Sequence, residues 1–255
     1  MSRNRVNLKL CVLALFGLLL SSCSSPIGIY FSTRYENVMG YFNTYYNTKK
    51  TFDDAVAELE KSSQISRDTN YFAAYQPNPT LKAKFGTVIE KASKIIQYYP
   101  RSKWVDDAIL MIGKTYYYQN DYDLAQKKFN ELIDNFPNSN YAWEAKLLNA
   151  RTLFNSRKIS EAQSYLNGFL NSALDAGEKD VAIEGYMLSG QTHFDQDEYP
   201  KAIDEYKKAL GIDGNGYLLS ISAFQLARCY ELVGENENSN KTYLRVLDYN
   251  PGELL

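Results

Sequence analysis

The sequence predicts an all-α fold, an α-solenoid of about five helix–turn–helix repeats. Apolar residues recur at intervals of three and four along most of the chain, which is the period of an amphipathic helix. No segment of useful length shows the alternation that is typical of a strand, and short polar turns separate the helical segments at nearly regular distances. One helix pair cannot bury its apolar face alone, so we expect the pairs to stack on one another.

The clearest repeat spans residues 104–137. Small residues stand at Gly113 and Ala125, where the two helices of a pair must approach closely, and Pro137 ends the second helix. The aromatic residues around these small positions are Tyr116, Tyr122 and Phe129. This order of residues is similar to that of the tetratricopeptide repeat, whose period is about 34 residues.

Copies of this pattern recur towards the carboxyl terminus. The position of Gly113 is repeated by Ala150, Gly190 and Ala227, at successive shifts of 37, 40 and 37 residues. We assign the extra length of the second shift to the turn around Gly177, which is a plausible helix terminator.

Less regular copies are expected upstream, where the domain is predicted to begin at residue 33. Residues 33–62 are predicted to form a helix pair with a turn at residues 47–51, and residues 80–99 match the second half of a degenerate second repeat. Residues 63–79 break the helical period with turn-forming residues and are predicted to be an insertion. Its three aromatic residues are Tyr71, Phe72 and Tyr75. These rings either hold the loop against the first helices or form an exposed contact surface.

The amino terminus has the pattern of a targeting segment. Three basic residues precede an apolar run of eleven residues, 10–20, which is too short to cross a bilayer and is typical of a signal peptide. The following Leu20-Ser21-Ser22-Cys23 resembles the bacterial lipobox, which implies cleavage before Cys23 and lipid modification of its thiol.

We therefore expect residues 1–22 to be a lipoprotein signal peptide, residues 23–32 a tether and residues 33–255 the repeat domain. The protein would be attached to the bacterial outer membrane through its lipid and would face the periplasm. The alternative is an ordinary signal peptide with a chance cysteine at its end.

The composition offers little for chemistry. The net charge of −2 gives no electrostatic footprint for nucleic acid. The sequence has no glycine-rich phosphate loop, no Cys and His at metal-ligand spacing and no Gly-x-Ser-x-Gly elbow. His193 stands at the register position of Tyr116, where packing explains it, and Cys229 is expected to be a small core residue. We predict a non-enzyme without cofactor, metal or small-molecule substrate.

The remaining candidate site is a surface for protein partners. Stacked helix pairs form a superhelix whose concave face is lined mostly by the first helix of each pair. On those helices, polar and aromatic residues occupy positions that the repeat leaves free of packing. The candidate partner-binding residues are Tyr117, Tyr118, Asn149, Arg151 and Gln191, together with Tyr71, Phe72 and Tyr75 of the insertion.

We expect the amino-terminal half of the domain, from Tyr35 to about Tyr118, to hold an extended or helical partner segment. Tyrosine and arginine are frequent binding anchors. The alternatives are that the candidate residues are ordinary solvated helix edges, or that the rings only fill the core of an irregular first repeat.

Residues 95–150 resemble the outer-membrane assembly lipoproteins of the BamD/YfiO type. There too, repeats end in Tyr-Pro or Phe-Pro followed by a serine, as in residues 99–102 and 136–139. The resemblance implies a non-catalytic scaffold that docks on a β-barrel assembly protein or another envelope protein. Residues 35–52 and the insertion look more like the repeat lipoproteins linked to gliding and secretion in Bacteroidetes-type bacteria. A motility or secretion scaffold, or a periplasmic coordinator of envelope synthesis, is therefore the alternative.

Overall fold

The computed structural model describes residues 26–249, which form helices and no strand. The helices are α1 (Pro26–Gly40), α2 (Tyr46–Thr69), α3 (Pro79–Tyr98), α4 (Val105–Tyr118), α5 (Tyr122–Asn135), α6 (Ala142–Asn155), α7 (Ile159–Asn167), α8 (Leu170–Asp175), α9 (Lys179–Phe194), α10 (Tyr199–Leu210), α11 (Gly216–Leu232) and α12 (Asn236–Asp248). A π-helical turn, Tyr41–Tyr45, joins α1 to α2. The predicted all-α fold is confirmed. None of the helices in this range is long and apolar enough to span a membrane.

The helices pack as five successive pairs. The long helix α1–α2 packs on α3, and the later pairs are α4 with α5, α6 with α7, α9 with α10, and α11 with α12, while the short α8 packs on α9. Each pair also contacts the next one, because α3 packs on α4, α5 on α6, α7 and α8 on α9, and α10 on α11. This stacking gives the solenoid that the periodic sequence predicts.

The turns inside the last four pairs repeat at the predicted distances. Each contains one residue with a positive φ, at Asn120 (64°), Arg157 (63°), Asp197 (58°) and Gly234 (80°). These positions follow one another at steps of 37, 40 and 37 residues, the same shifts that the small residues predict. The register of the later repeats is therefore confirmed.

The small residues lie where the helices of a pair approach each other. A Cβ atom on Gly113 would stand 2.7 Å from Cε1 of Phe129, and one on Gly190 would stand 2.8 Å from Cε1 of Tyr206. Ala125 is fully buried in the same contact layer. A Cβ atom at either glycine would therefore collide with the ring that faces it.

The extra length of the third pair forms a short helix. The second helix of this pair ends at Gly168, and α8 follows with Leu170 packed against Gly185 of α9. Gly177 terminates α8 with a φ of 84°, and its amide donates to the carbonyl of Leu174 at 3.0 Å. The assignment of Gly177 as a helix terminator is confirmed.

The amino-terminal part differs from the sequence prediction. The helix begins at Pro26, inside the segment expected to be a tether, and the turn expected at residues 47–51 is absent. The polar residues there continue the helix because the Oγ1 atoms of Thr48 and Thr51 donate to carbonyls one turn earlier, at 2.8 and 2.7 Å. Lys49 also pairs with Asp53 across one turn at 3.0 Å.

Helix α2 also continues through residue 69, so the irregular segment is residues 70–78 and not 63–79. The two incomplete repeats that the sequence suggested are one helix pair. The lipobox cysteine, the signal segment and residues 250–255 lie outside the described residues.

The α1 helix is fixed on the loop before α4. The carboxylate of Glu36 accepts from the backbone amide of Arg101 at 2.8 Å, and Trp104 Nε1 donates to the carbonyl of Asn37 at 2.9 Å. The indole also stacks on the ring of Tyr45, with centroids 4.2 Å apart. Tyr45 in turn donates to the carboxylate of Asp107 in the first turn of α4. These contacts orient α1 relative to the repeats.

Candidate protein-binding groove

The first helices of the pairs line a groove, which we define by six residues. They are Tyr117 and Tyr118 of α4, Arg151 and Phe154 of α6, Glu184 of α9 and Tyr217 of α11. The repeat register brings them together, because Tyr117 and Phe154 occupy equivalent positions one repeat apart. The groove therefore spans four of the five helix pairs.

The chain's own segment 70–78 fills this groove. The ring of Tyr75 packs on Tyr118, with centroids 5.0 Å apart, and the ring of Phe72 packs on Phe154 at 6.2 Å. Tyr71 approaches Tyr217 at 6.4 Å. The insertion thus contacts helices far along the chain, and not only the helices beside it in sequence.

Arg151 lies at the centre of these contacts. Its guanidinium carbon stands 5.4 Å from the ring centroid of Phe72 and 5.6 Å from those of Tyr71 and Tyr117. Its Nη1 pairs with the carboxylate of Glu184 at 2.6 Å. Arg151 is only 8% exposed, and its Nε and Nη2 have no hydrogen-bond partner within the described residues.

The Arg151–Glu184 pair is one step of a repeated arrangement. Lys114 stands one repeat before Arg151 in the register, and it pairs with Glu144 of the next first helix at 2.5 Å. Both pairs link the first helices of neighbouring repeats. The Arg151 pair is the more buried of the two, with side-chain exposures of 9% and 15%.

Tyr117 and Tyr118 are more buried than the sequence suggested. Tyr116 was expected to be the core residue of the three, but it is only half-buried, whereas Tyr117 is 1% and Tyr118 is 8% exposed. Tyr118 stacks on Phe85 of α3, with centroids 5.8 Å apart. The difference arises because α3 and segment 70–78 supply packing partners that a single repeat does not contain.

The two remaining candidate residues, Asn149 and Gln191, form hydrogen bonds with residues outside segment 70–78. Asn149 donates from Nδ2 to Oδ1 of Asn130 at 2.8 Å and lines a depression of about 600 Å³ between α5 and α7. Gln191 donates to the carboxylate of Asp195 at 2.6 Å, and its Oε1 accepts from the hydroxyl of Tyr206 at 3.4 Å. The structure therefore unites Tyr71, Phe72, Tyr75, Tyr117, Tyr118 and Arg151, but places Asn149 and Gln191 elsewhere.

The contacts of His193 and Cys229 are those of residues that stabilise the fold. His193 Nδ1 stands 2.7 Å from the carboxylate of Glu198. Cys229 is fully buried in the core, as predicted, and burial raises the pKa of its thiol to about 12. In residues 26–249, no three His, Cys, Asp or Glu side chains are grouped as metal ligands.

Comparison with known proteins identifies the class of fold. Residues 107–139 and 183–215 each match a family model of the tetratricopeptide repeat. These segments lie in the second and fourth helix pairs and extend into the turn that follows each. The chain is an all-α solenoid of tetratricopeptide repeats, the class of helical protein that serves in protein–protein interaction. No curated protein matches the sequence significantly.

Solved structures share this fold at low sequence identity. MamA is 20% identical with a TM-score of 0.51, over 66% of this chain and 90% of that chain. RapI in its apo form is 14% identical with a TM-score of 0.55, over 80% and 70% of the two chains. The Rap conjugation regulator of plasmid pLS20, solved in complex with the Phr* peptide, is 18% identical with a TM-score of 0.52, over 66% and 49%.

Proposed function

We propose that this protein is a non-catalytic, lipid-anchored scaffold of the bacterial cell envelope that takes part in the assembly of outer-membrane β-barrel proteins. The observation that carries the proposal is the succession of a signal-like segment, a lipobox ending at Cys23 and a tetratricopeptide solenoid. The similarity of residues 95–150 to the BamD/YfiO type favours β-barrel assembly among envelope functions. The scaffold would bind a β-barrel assembly protein or another envelope protein.

An apolar stripe that runs from α1 through the π-helical turn to the start of α2 supports a position close to the membrane. Its five large exposed side chains, at 49–71% exposure, are Phe31, Tyr35, Val38, Phe42 and Tyr46. Intervals of three and four residues place the three residues of α1 on one helix face, and the other two follow in the π-helical turn and at the first residue of α2. Exposed apolar patches of this kind mark interaction surfaces, and aromatic side chains favour the bilayer interface.

The stripe lies near the proposed lipid anchor. Cys23 and Pro26 are separated by at most about 11 Å of extended chain, so acyl chains on Cys23 would hold the start of α1 at the membrane surface. The opposite side of α1 packs on the repeats through Glu36 and Asn37, which leaves the stripe facing outward. An apolar helix face would add a second attachment to the lipid.

Cell fractionation of a Cys23→Ala variant tests the anchor. We expect the variant to accumulate as unprocessed precursor or to be released from the outer membrane, because it lacks the thiol that is modified. A Cys229→Ala variant is the matched control, since that buried thiol should not affect anchoring. Processing and anchoring of Cys23→Ala like the wild type would refute the lipid anchor.

The alternative function is a scaffold of a secretion or gliding-motility apparatus, or a periplasmic coordinator of envelope synthesis. It is favoured by the long helix α1–α2 and segment 70–78, which are not expected in the BamD/YfiO type. Capture of partners from detergent-solubilised envelope separates these functions. Recovery of a β-barrel assembly protein supports the first proposal, and recovery of motility, secretion or envelope-synthesis components supports the alternative.

A further inference from the structure

We propose that segment 70–78 is an internal ligand of the groove, which an acidic, aromatic segment of the partner protein replaces. The replacing segment would be extended, would carry two aromatic residues three positions apart and would pair a carboxylate with Arg151. The inference rests on the proposed scaffold function and deepens it, because it states the chemistry of the partner segment.

The segment lies in the groove as a bound peptide would. Phe72, Tyr75 and Pro77 are buried, whereas the intervening Ala74 and Gln76 are exposed. One side of the segment therefore faces the groove and the other faces solvent. A hydrogen bond from Asn120 Nδ2 to the carbonyl of Tyr75, at 2.9 Å, adds a backbone contact to the aromatic ones.

The groove wall is built by helices that pack on one another without the segment. Helices α4 and α6 belong to neighbouring pairs joined through α5, and α9 packs on both α6 and α7. Removing segment 70–78 would thus expose the groove while leaving the contacts between the pairs in place.

Both ends of the segment are fixed by local hydrogen bonds. Oδ1 of Asn70 accepts from the amide of Phe72 at 3.0 Å, where α2 ends. Asn78 caps α3 by accepting from the amide of Leu81 at 2.9 Å, and Pro79 occupies the first turn. The cap on α3 does not involve residues 71–77, so the start of α3 can stay in place when they leave the groove, whereas the bond between Asn70 and Phe72 would break.

Arg151 shows what the internal ligand lacks. A guanidinium binds a carboxylate best through two parallel N–H groups, but Arg151 uses only Nη1 on Glu184. The guanidinium lies among aromatic rings, and its Nε and Nη2 have no acceptor in the described structure. Residues 70–78 contain no aspartate or glutamate, so a partner segment that carries one would make a pair that the internal ligand cannot make.

Binding of a synthetic peptide with the sequence of residues 70–79 tests this exchange. The full chain, purified in detergent, is compared with its double variant Phe72→Ser/Tyr75→Ser, in which the internal ligand loses both buried rings. We expect the variant to bind the labelled peptide with a Kd at least tenfold lower than that of the wild type. The matched control is Ala74→Ser/Gln76→Ser, which alters exposed positions and should bind like the wild type.

Absence of peptide binding to a double variant that keeps its cooperative unfolding would overturn the proposal. Equal binding of a peptide that has alanine in place of both aromatic residues would also overturn it. These measurements use purified protein without membranes, so their failure is distinct from failure of the lipid anchor or of the envelope function.

A substitution in the peptide tests whether a carboxylate of the bound segment pairs with Arg151. In the segment the ring of Tyr71 lies beside Arg151, so peptides with glutamate and with glutamine at this position are compared on the double variant. We expect the glutamate peptide to bind at least fivefold more tightly. An added Arg151→Gln change should remove most of this preference, whereas an added Lys114→Gln change should retain it. Equal affinity for both peptides would refute pairing with Arg151.

Amide hydrogen exchange of the wild type decides the question if the double variant does not fold. An exchangeable ligand requires residues 71–77 to open separately from the helices, so their amides should exchange at least tenfold faster than those of α3 and α4. Exchange as slow as that of these helices would show that the segment is a permanent part of the core.

Discussion

Gly113 illustrates how single residues set the contact between the helices of a pair. The facing residue is an aromatic ring at both glycines, since Phe129 faces Gly113 and Tyr206 faces Gly190. In the third pair, Ala150 stands at this position and the register places the smaller Leu166 opposite it. The sizes of the facing residues compensate in these three pairs, but not in the fifth, where Ala227 stands opposite Tyr243 in the register.

A methyl group at Gly113 should therefore destabilise the protein. Gly113→Ala places a Cβ atom against Phe129, and we expect the free energy of unfolding to fall by about 1–3 kcal/mol. Adding Phe129→Leu should recover part of this loss, because the third pair has that combination. Urea unfolding followed by circular dichroism measures both variants.

Gly86 is the matched control for this substitution. It lies exposed within α3, and a Cβ atom there meets nothing within 4 Å. Gly86→Ala should raise the free energy of unfolding by about 0.5–1 kcal/mol through helix propensity. Equal effects of the two alanines would contradict the helix contact at Gly113.

Buried tyrosines should make the fold sensitive to alkaline pH. Burial, together with the neighbouring Tyr117, raises the pKa of Tyr122 to about 12, from the ordinary value of 10.0. Between these values the unfolded chain loses the proton while the folded chain keeps it, so unfolding becomes progressively more favourable as the pH rises.

We expect the urea midpoint to fall between pH 10 and pH 12, and to fall less steeply in Tyr122→Phe, which has no phenol to ionise. Tyr30→Phe, at an exposed position, is the control. If the urea midpoint fell equally steeply with pH in the wild type and in Tyr122→Phe, Tyr122 would have the same pKa in the folded and unfolded chain, which would contradict the prediction.

At the scale of elements, the sequence predicts the regular repeats better than the first pair. Three of the four later turns have Asn, Asp or Gly at the residue with a positive φ, so local chemistry and helical period agree there, and Arg157 is the exception. In residues 47–51 they disagree, because the polar residues resemble a turn but contain neither glycine nor proline. The threonine side chains bond to the helix backbone, and Thr48 is fully buried, so packing maintains the helix.

A glycine at Lys50 tests the continuity of this helix. Lys50 is exposed near the start of α2, where the helix continues from the π-helical turn, and Lys50→Gly should lower the free energy of unfolding by about 1 kcal/mol relative to Lys50→Ala. Asp213→Gly, in the turn between α10 and α11, should change it by much less relative to Asp213→Ala. A negligible difference at Lys50 would indicate a turn, as the sequence pattern first suggested.

At the scale of the whole molecule, the superhelix and its groove follow from the repeats, but the occupant of the groove does not. The candidate residues on α4 and α6 could be chosen from the register alone, because the consensus leaves their positions free of packing. The contacts that cover them come from residues 70–78, which are separated from Phe154 and Tyr217 by several helices. The helical period of a sequence cannot predict contacts between such distant residues. The three aromatic residues within the insertion do indicate that this segment packs against another part of the protein.

This arrangement gives the proposed scaffold a groove whose access depends on its own chain. Aromatic rings cover Arg151, and the segment that supplies two of them brings no carboxylate. A partner therefore has to compete with an internal segment that packs on the apolar part of the groove but supplies no carboxylate to Arg151. Affinity for partners would be set by the difference between the two ligands and not by the groove alone.

The most direct test of this account is capture of envelope proteins by the wild type and by Phe72→Ser/Tyr75→Ser, with Ala74→Ser/Gln76→Ser as control. The account predicts that the opened variant captures more of the same partner than the wild type or the control does. It also predicts that the peptide of residues 70–79 competes this excess away. Equal or reduced capture by an opened variant that remains folded would contradict the account.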